Sequence, residues 1–132
     1  MSERGVDPGA HSEELAIQAA RVAEQMKASD IIVLDVGDVL SIAGYFVIAS
    51  ASNQRLVRAV AEEVESQLKV SFDRPPVRVE GLREREWTLI DYGDVVVHVF
   101  YEPTREFYEI ERLYMDAPSV EWAPTEVTVD ES

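Results

Sequence analysis

The chain has 132 residues, enough for one domain with a single buried core. Its formal net charge is −14 and both ends are acidic, which disfavours non-specific binding to nucleic acid or to an anionic membrane and is compatible with a basic protein partner. The chain contains no cysteine, which excludes disulfides and thiol catalysis, and we expect no signal peptide and no membrane span, hence a cytoplasmic protein or one of an organelle matrix.

The N-terminal part of the chain is predicted to hold a leader and one helix. Two glycines and one proline in residues 1–11 predict a flexible leader. Ser12 can cap the helix, because Glu13 and Glu14 then lie in its first turn, where carboxylates interact favourably with the helix dipole. The apolar residues that follow at helical spacing form one face: Leu15, Ala19, Val22 and Met26.

Two apolar runs and a second helix come next. Ile31–Val36 and Tyr45–Ala49 are short and rich in β-branched and aromatic residues, which predicts buried strands. Ser52 or Asn53 can cap the following helix, and capping is favoured over a phosphate-binding loop because Ser50–Asn53 contains no glycine. The expected core face of this helix is Leu56 or Val57, Val60, Val64 and Leu68.

Three further strands are expected in the second half of the chain. Val77–Glu80 follows two prolines and is placed at a sheet edge, whereas Trp87–Asp91 and Val95–Tyr101 are joined by a short turn. The last of these strands is apolar at both parities, so it is either covered on both faces or leaves one face for a partner. The expected fold is therefore α/β, a central mixed sheet of about five strands with helices packed on it, in the order α-β-β-α-β-β-β-α.

The C-terminal part is predicted to form a helix and an acidic tail. Thr104 can cap the helix, which should end before Pro118. Its apolar face would carry Phe107, Ile110 and Leu113. Residues 118–132 are acidic and predict a flexible tail, in which Trp122 is expected to pack back on the domain. The single domain should therefore span residues 12–117.

Two patterns that could carry chemistry also have plainer explanations. Asp-x-Gly-Asp occurs at Asp35–Asp38 and at Asp91–Asp94, where carboxylate pairs could hold a divalent metal, but tight turns need the same residues and are favoured. His98 lies between two valines of a strand, which favours a hydrogen-bonded structural histidine over a catalyst. We therefore expect no enzyme and no cofactor, with a metal-dependent, nucleotidyltransferase-like activity as the alternative.

Aromatic residues are concentrated near two arginines towards the C-terminus. Aromatic and arginine side chains are typical anchors of protein interfaces, although about half of these would serve core packing instead. Arg105 and Arg112 lie among them, and the set comprises Trp87, Tyr92, Tyr101, Phe107, Tyr108 and Tyr114.

The segment Trp87–Tyr114, WTLIDYGDVVVHVFYEPTREFYEIERLY, resembles the C-terminal signature of the Iojap-type ribosomal silencing factors. That signature has Trp, two or three apolar residues, Asp, an apolar or aromatic residue, Gly-Asp and Val-His-Val, then Arg, an aromatic-Tyr pair, Leu or Ile with Glu, and an aromatic end. DIIVLDV, YFVIASASNQR and Val79-Glu80-Gly81 agree upstream, so the resemblance covers residues 13–117. Gly44 stands where the family has Asp, which weakens any metal-dependent activity, and Tyr114 stands where it has Trp.

The resemblance implies a nucleotidyltransferase-like fold without the catalytic residues. It also implies binding to the large ribosomal subunit through its protein fourteen, which would block association with the small subunit and repress translation under nutrient limitation. The free protein should be a homodimer, with neither a membrane nor nucleic acid as its main contact. Strand alternation means that the candidate partner-binding residues cannot all point the same way. They are Trp87, Leu89, Asp91, Tyr92, Asp94, His98, Arg105 and Tyr108.

Overall fold

The computed structural model describes residues 8–37 and 44–124. Its strands form one mixed sheet in the order β1-β2-β5-β4-β3, which confirms the expected five-stranded sheet and the expected order of helices and strands. The elements are α1 (Pro8–Gln25), β1 (Ser29–Asp35), β2 (Tyr45–Ala51), α2 (Gln54–Phe72), β3 (Arg78–Glu80), β4 (Trp87–Asp91), β5 (Val95–Tyr101), α3 (Glu102–Tyr108) and a 3₁₀ helix (Ile110–Tyr114).

The central strand β5 is covered on both faces of the sheet. It pairs in parallel with β2 and antiparallel with β4, while β3 forms an edge, as its two preceding prolines predicted. On one face Val97 and Val99 pack with the apolar sides of α1 and α2. On the other face Phe100 packs with Phe46 and Ile110, so the C-terminal helices cover part of this second face. No helix in residues 8–37 or 44–124 is long and apolar enough to span a membrane.

The first helix begins earlier than the sequence predicted. α1 starts at Pro8, where proline is tolerated because the first turn needs no backbone N–H donor, so Ser12 lies within the helix and does not cap it. The buried Ser12 hydroxyl instead donates a 2.6 Å hydrogen bond to Asp94 Oδ2. Residues 8–11 are therefore helical, and the rest of the predicted leader lies outside the described residues.

The second helix agrees with the prediction at its start and along its core face. Asn53 caps α2, because its side-chain oxygen accepts a 2.8 Å hydrogen bond from the Leu56 N–H. The helix ends where Asp73 adopts a left-handed conformation with φ of 55°. The predicted core residues are buried, and Ala61 joins them: Val57, Val60, Ala61, Val64 and Leu68.

The C-terminal helix is broken where the sequence predicted a continuous one. α3 begins at Glu102 with Pro103 in its first turn, so Thr104 lies inside the helix and does not cap it. Glu109 has φ of 49°, which ends α3 and turns the chain into the 3₁₀ helix. Because of this turn, only one residue of the predicted apolar face is buried: Ile110 is 7 % exposed, whereas Phe107 is 79 % and Leu113 is 74 % exposed.

The segment after the 3₁₀ helix runs along the outer edge of β1. The Asp35 N–H donates to the Pro118 carbonyl at 2.9 Å, and the Val120 N–H donates to the Val33 carbonyl at 2.8 Å. The Trp122 indole N–H donates to the Ile31 carbonyl at 3.1 Å, which confirms that this tryptophan packs back on the domain. The start of the predicted tail therefore covers a strand edge that would otherwise be open.

Candidate protein-binding surface

Trp87 and Tyr108 form a half-open aromatic pair on the sheet face opposite α1 and α2. Trp87 begins β4 and stacks on Phe100 of β5, with the ring centroids 4.7 Å apart. The Tyr108 ring, which is 54 % exposed, lies 5.3 Å from the Trp87 ring. Leu89 and Asp91 follow Trp87 on the same face of β4 because side chains alternate along a strand, and both are partly exposed. We call these four residues, Trp87, Leu89, Asp91 and Tyr108, the β4 surface.

His98 lies directly behind the β4 surface and fixes the orientation of Trp87. The Trp87 Nε1–H donates a 3.1 Å hydrogen bond to His98 Nδ1, which requires Nδ1 to be unprotonated. The His98 side chain is only 4 % exposed, and burial lowers its pKa from 6.5 to about 4. The ring is therefore neutral at pH 7 and contacts Phe46 edge-on at 4.7 Å, a packing role rather than a catalytic one.

The second Asp-x-Gly-Asp pattern forms a turn, as predicted. Asp91 Oδ1 accepts a 2.8 Å hydrogen bond from the Gly93 N–H, and Gly93 has φ of 92°, a conformation that glycine adopts without steric cost. Asp91 Oδ2 also lies 3.4 Å from Arg78 Nε, so its charge is paired on the sheet face. In the first copy, Asp35 accepts from the Gly37 N–H at 3.1 Å, and Asp38 lies outside the described residues.

Tyr92 and Asp94 lie on the helix side of the sheet, away from the β4 surface. Tyr92 is 3 % exposed within the core formed with α1 and α2, and burial raises its pKa. Burial also raises the pKa of Asp94, but hydrogen bonds from Arg74 and Ser12, both 2.6 Å long, outweigh that effect and hold it below its usual value. These two residues therefore attach the turn after β4 to α1 and to Arg74.

Arg105 is a buried clamp between α3 and the sheet. Its Nη1 donates to the Asp30 carbonyl at 2.6 Å and to Ser50 Oγ at 2.7 Å, and its Nε donates to Glu111 Oε2 at 3.1 Å. The residue is 8 % exposed. Burial thus keeps three of the eight predicted contact residues from direct contact with a partner in this structure: Tyr92, His98 and Arg105.

An open groove of about 960 Å³ lies beside Arg105, between β1 and the C-terminal helices. Carboxylates outnumber cations in its lining, so the groove would repel the phosphates of a nucleotide. Among residues 8–37 and 44–124, no group of three or more His, Asp or Glu is placed to hold a metal ion. The charged lining residues are Asp30, Glu102, Arg105, Glu106, Glu109, Glu111 and Arg112.

Sequence reasoning missed three exposed apolar residues next to the β4 surface. Phe107 and Leu113 were assigned to a helical core face, and Met115 was not considered, although each is more than 70 % exposed. Their spacing is that of an amphipathic helix, and the signal misleads because the helix ends at Glu109. Only the left-handed backbone of Glu109, which the sequence does not mark with glycine or asparagine, reveals the change of direction.

Comparison with known proteins identifies the family. Residues 9–132 match the family described as ribosomal silencing factor during starvation. The chain is 38 % identical over 100 residues to the ribosomal silencing factor RsfS of Bacillus subtilis, covering 76 % of this chain and 84 % of that protein. The chain therefore belongs to the ribosomal silencing factor family.

Two further similarities agree with this assignment. A crystal structure of a protein from Chromobacterium violaceum superposes with a TM-score of 0.72 at 34 % identity, covering 88 % of this chain and 92 % of that one. A mouse protein named mitochondrial assembly of ribosomal large subunit protein 1 is 34 % identical over 93 residues, which are 68 % of this chain and 40 % of that protein.

Proposed function

We propose that this protein binds the large ribosomal subunit through its protein fourteen and blocks association with the small subunit, repressing translation when nutrients are limiting. The observation that carries the proposal is the β4 surface, where Trp87 and Tyr108 are left partly open on a sheet face that is otherwise covered. Family membership supports a ribosomal target. The name of the mouse relative, which refers to the large subunit, supports that subunit as the partner.

The mechanism is steric occlusion, with no bond made or broken. A standard interface of roughly 800 Å² per partner is enough for specific binding, and a half-buried tryptophan beside a tyrosine is the kind of anchor that dominates such interfaces. Leu89 extends the apolar centre of the contact, and the paired charges of Asp91 and Arg78 lie at its rim. The bound domain then occupies the volume that the small subunit needs.

Charge directs the protein to a basic protein rather than to ribosomal RNA. With a formal net charge of −14, the chain is repelled by RNA phosphates and attracted by a surface rich in lysine and arginine. Raising the ionic strength should therefore slow association more than it speeds dissociation. An association rate that does not change with salt would contradict electrostatic steering.

Sedimentation with purified ribosomal subunits tests the proposal. The protein should co-sediment with large subunits and not with small ones, and it should lower the fraction of joined ribosomes when both are mixed. Binding to isolated protein fourteen tests the partner within that subunit. A Val77→Ala variant is the matched control, because Val77 is also exposed, at 72 %, but precedes β3. Failure of the wild-type protein to bind large subunits would overturn the proposed function.

We also propose that the free protein is a cytoplasmic homodimer. The resemblance to the family supports the dimer, and a ribosomal target supports a location in the compartment where ribosomes assemble from their subunits. Sedimentation equilibrium of the free protein measures the first, and a fluorescent fusion in cells the second. A monomer at micromolar concentration would contradict the proposed dimer.

A further inference from the structure

Exposed apolar side chains are concentrated in one short segment at the end of the domain. Within the part of the chain that the structure describes, seven large apolar side chains are exposed, and four of them lie in nine consecutive residues. We call these four the C-terminal apolar cluster: Phe107 (79 % exposed), Tyr108 (54 %), Leu113 (74 %) and Met115 (79 %). Scattered exposed apolar residues are ordinary, but a concentration of this kind marks an interaction site.

The cluster is exposed because the segment that carries it is fixed to the sheet from its other side. Ile110 and Ala117 are buried against the sheet, and the Tyr114 ring contacts the Phe46 ring edge-on at 5.1 Å. Arg105 ties the start of the segment to Asp30 through a 2.6 Å hydrogen bond. The segment therefore cannot turn its outer side chains inward without breaking these contacts, so the cluster is presented to solvent in a fixed arrangement.

The cluster is continuous with the β4 surface through Tyr108. The Phe107 ring contacts the Tyr108 ring edge-on at 5.0 Å, and the Tyr108 ring lies 5.3 Å from the Trp87 ring. A partner that packs on Trp87 and Tyr108 must therefore lie next to Phe107. Together the two surfaces form a larger apolar area than the β4 surface alone provides.

We propose that the C-terminal apolar cluster is the second half of the docking surface and packs against an apolar patch with a basic border on the ribosomal protein. This inference rests on the proposed function and adds the residues and the chemistry of the contact. The segment 102–116 carries five acidic and two basic residues, a net charge of −3, so lysine or arginine around an apolar patch complements it.

The same charge argues against a second copy of this chain as the occupant. A two-fold dimer brings the same patch of both copies together, so a net charge of −3 would face another −3. Like charges held at an interface are unfavourable and select against that pairing. The cluster is therefore matched to a basic partner and not to itself.

A triple variant, Phe107→Ala with Leu113→Ala and Met115→Ala, tests the inference. All three side chains are at least 74 % exposed, so the urea unfolding midpoint should stay near that of the wild type. Affinity for purified large subunits should fall by more than about 30-fold, as for central apolar anchors. The control Val70→Ala removes an equally exposed side chain, 79 %, from α2 and should change affinity by less than about twofold.

A charge reversal and the oligomeric state complete the test. Glu106→Lys should slow association with large subunits by more than about threefold, while Glu24→Lys, an exposed acid on α1, should have a smaller effect. The inference is overturned if the triple variant binds large subunits like the wild type, or if it loses only self-association in sedimentation equilibrium. If the wild type itself fails to bind large subunits, the proposed function is wrong, which is a separate result.

Discussion

The indole N–H of Trp87 donates a hydrogen bond to Nδ1 of His98 across 3.1 Å, and this bond links a half-open surface residue to a buried one. His98 is 4 % exposed and accepts the bond only while Nδ1 carries no proton. The neutral state of a core histidine therefore determines how the anchor tryptophan is presented. The stability of the fold and the geometry of the β4 surface depend on the same pair.

Replacing Trp87 should affect both stability and binding. Trp87→Ala removes a ring that stacks on Phe100 and contacts Tyr108, and since the side chain is half-buried we expect a loss of about 2 kcal/mol, less than for a fully buried aromatic ring. Affinity for large subunits should fall by about 30-fold or more. Urea unfolding and subunit co-sedimentation measure the two effects.

Trp87→Phe separates the hydrogen bond from the ring. This variant keeps an aromatic ring over Phe100 but leaves His98 Nδ1 without its donor, which should cost about 1 kcal/mol of stability. Most of the affinity should remain because the apolar contact is kept. If Trp87→Phe weakens binding as much as Trp87→Ala does, the hydrogen bond, and not the ring, is the main determinant of the contact.

Acidification should destabilise the protein through His98. Its pKa is about 4 in the folded state against 6.5 for a free histidine, so the unfolded chain binds more protons between these values. The free energy of unfolding should therefore fall as the pH drops from 6.5 towards 4, by a total on the order of 3 kcal/mol. Urea midpoints measured at half-unit pH intervals check this.

The variant His98→Asn is the matched control for this pH dependence. Asparagine does not titrate and keeps an oxygen that can accept from the Trp87 N–H. Its stability should be nearly independent of pH between 6.5 and 4.5. Asp94 acts in a different range, because a carboxylate with a lowered pKa loses its stabilising effect only below about pH 4. An unchanged slope in His98→Asn would assign the pH dependence to other groups.

The strands of the binding face were predictable because their signals are local. Trp87–Asp91 and Val95–Tyr101 have the predicted bounds, since β-branched and aromatic residues end at a clear Gly93 turn. The core face of α2 followed from its apolar spacing for the same reason. Local propensity thus determines these elements without help from the rest of the chain.

The boundaries set by tertiary contacts were not predictable. The left-handed Glu109 is held between the buried Arg105 and the buried Ile110, which lie on either side of it, and nothing in the local sequence requires a break there. Strand alternation placed Trp87 on one face, but it could not tell which face carries the helices. The division of the candidate residues between a surface and a core therefore emerged only from the packed structure.

Arg105 should contribute to stability rather than to direct binding. Arg105→Lys keeps the charge but cannot reproduce the three hydrogen bonds to Asp30, Ser50 and Glu111, so we expect a loss of about 2–3 kcal/mol. Arg112→Lys is the matched control, because its exposed pair with Glu109 contributes little and should change stability by less than about 0.5 kcal/mol. Equal effects of the two substitutions on the urea midpoint would contradict the clamp.

Two truncations test whether the C-terminal segment stabilises the domain. Ending the chain at Ala117 removes Val120 and Trp122 from the core and leaves the edge of β1 open, so the melting temperature should fall by about 10 °C. Ending it at Pro124 keeps all of these contacts and should shift the melting temperature by about 1 °C or less. The shorter chain should also associate at lower concentrations, because an open strand edge pairs readily with another. If both truncated chains melt together, the segment along β1 contributes no stability, and the tail acts as the flexible appendage that its composition predicted.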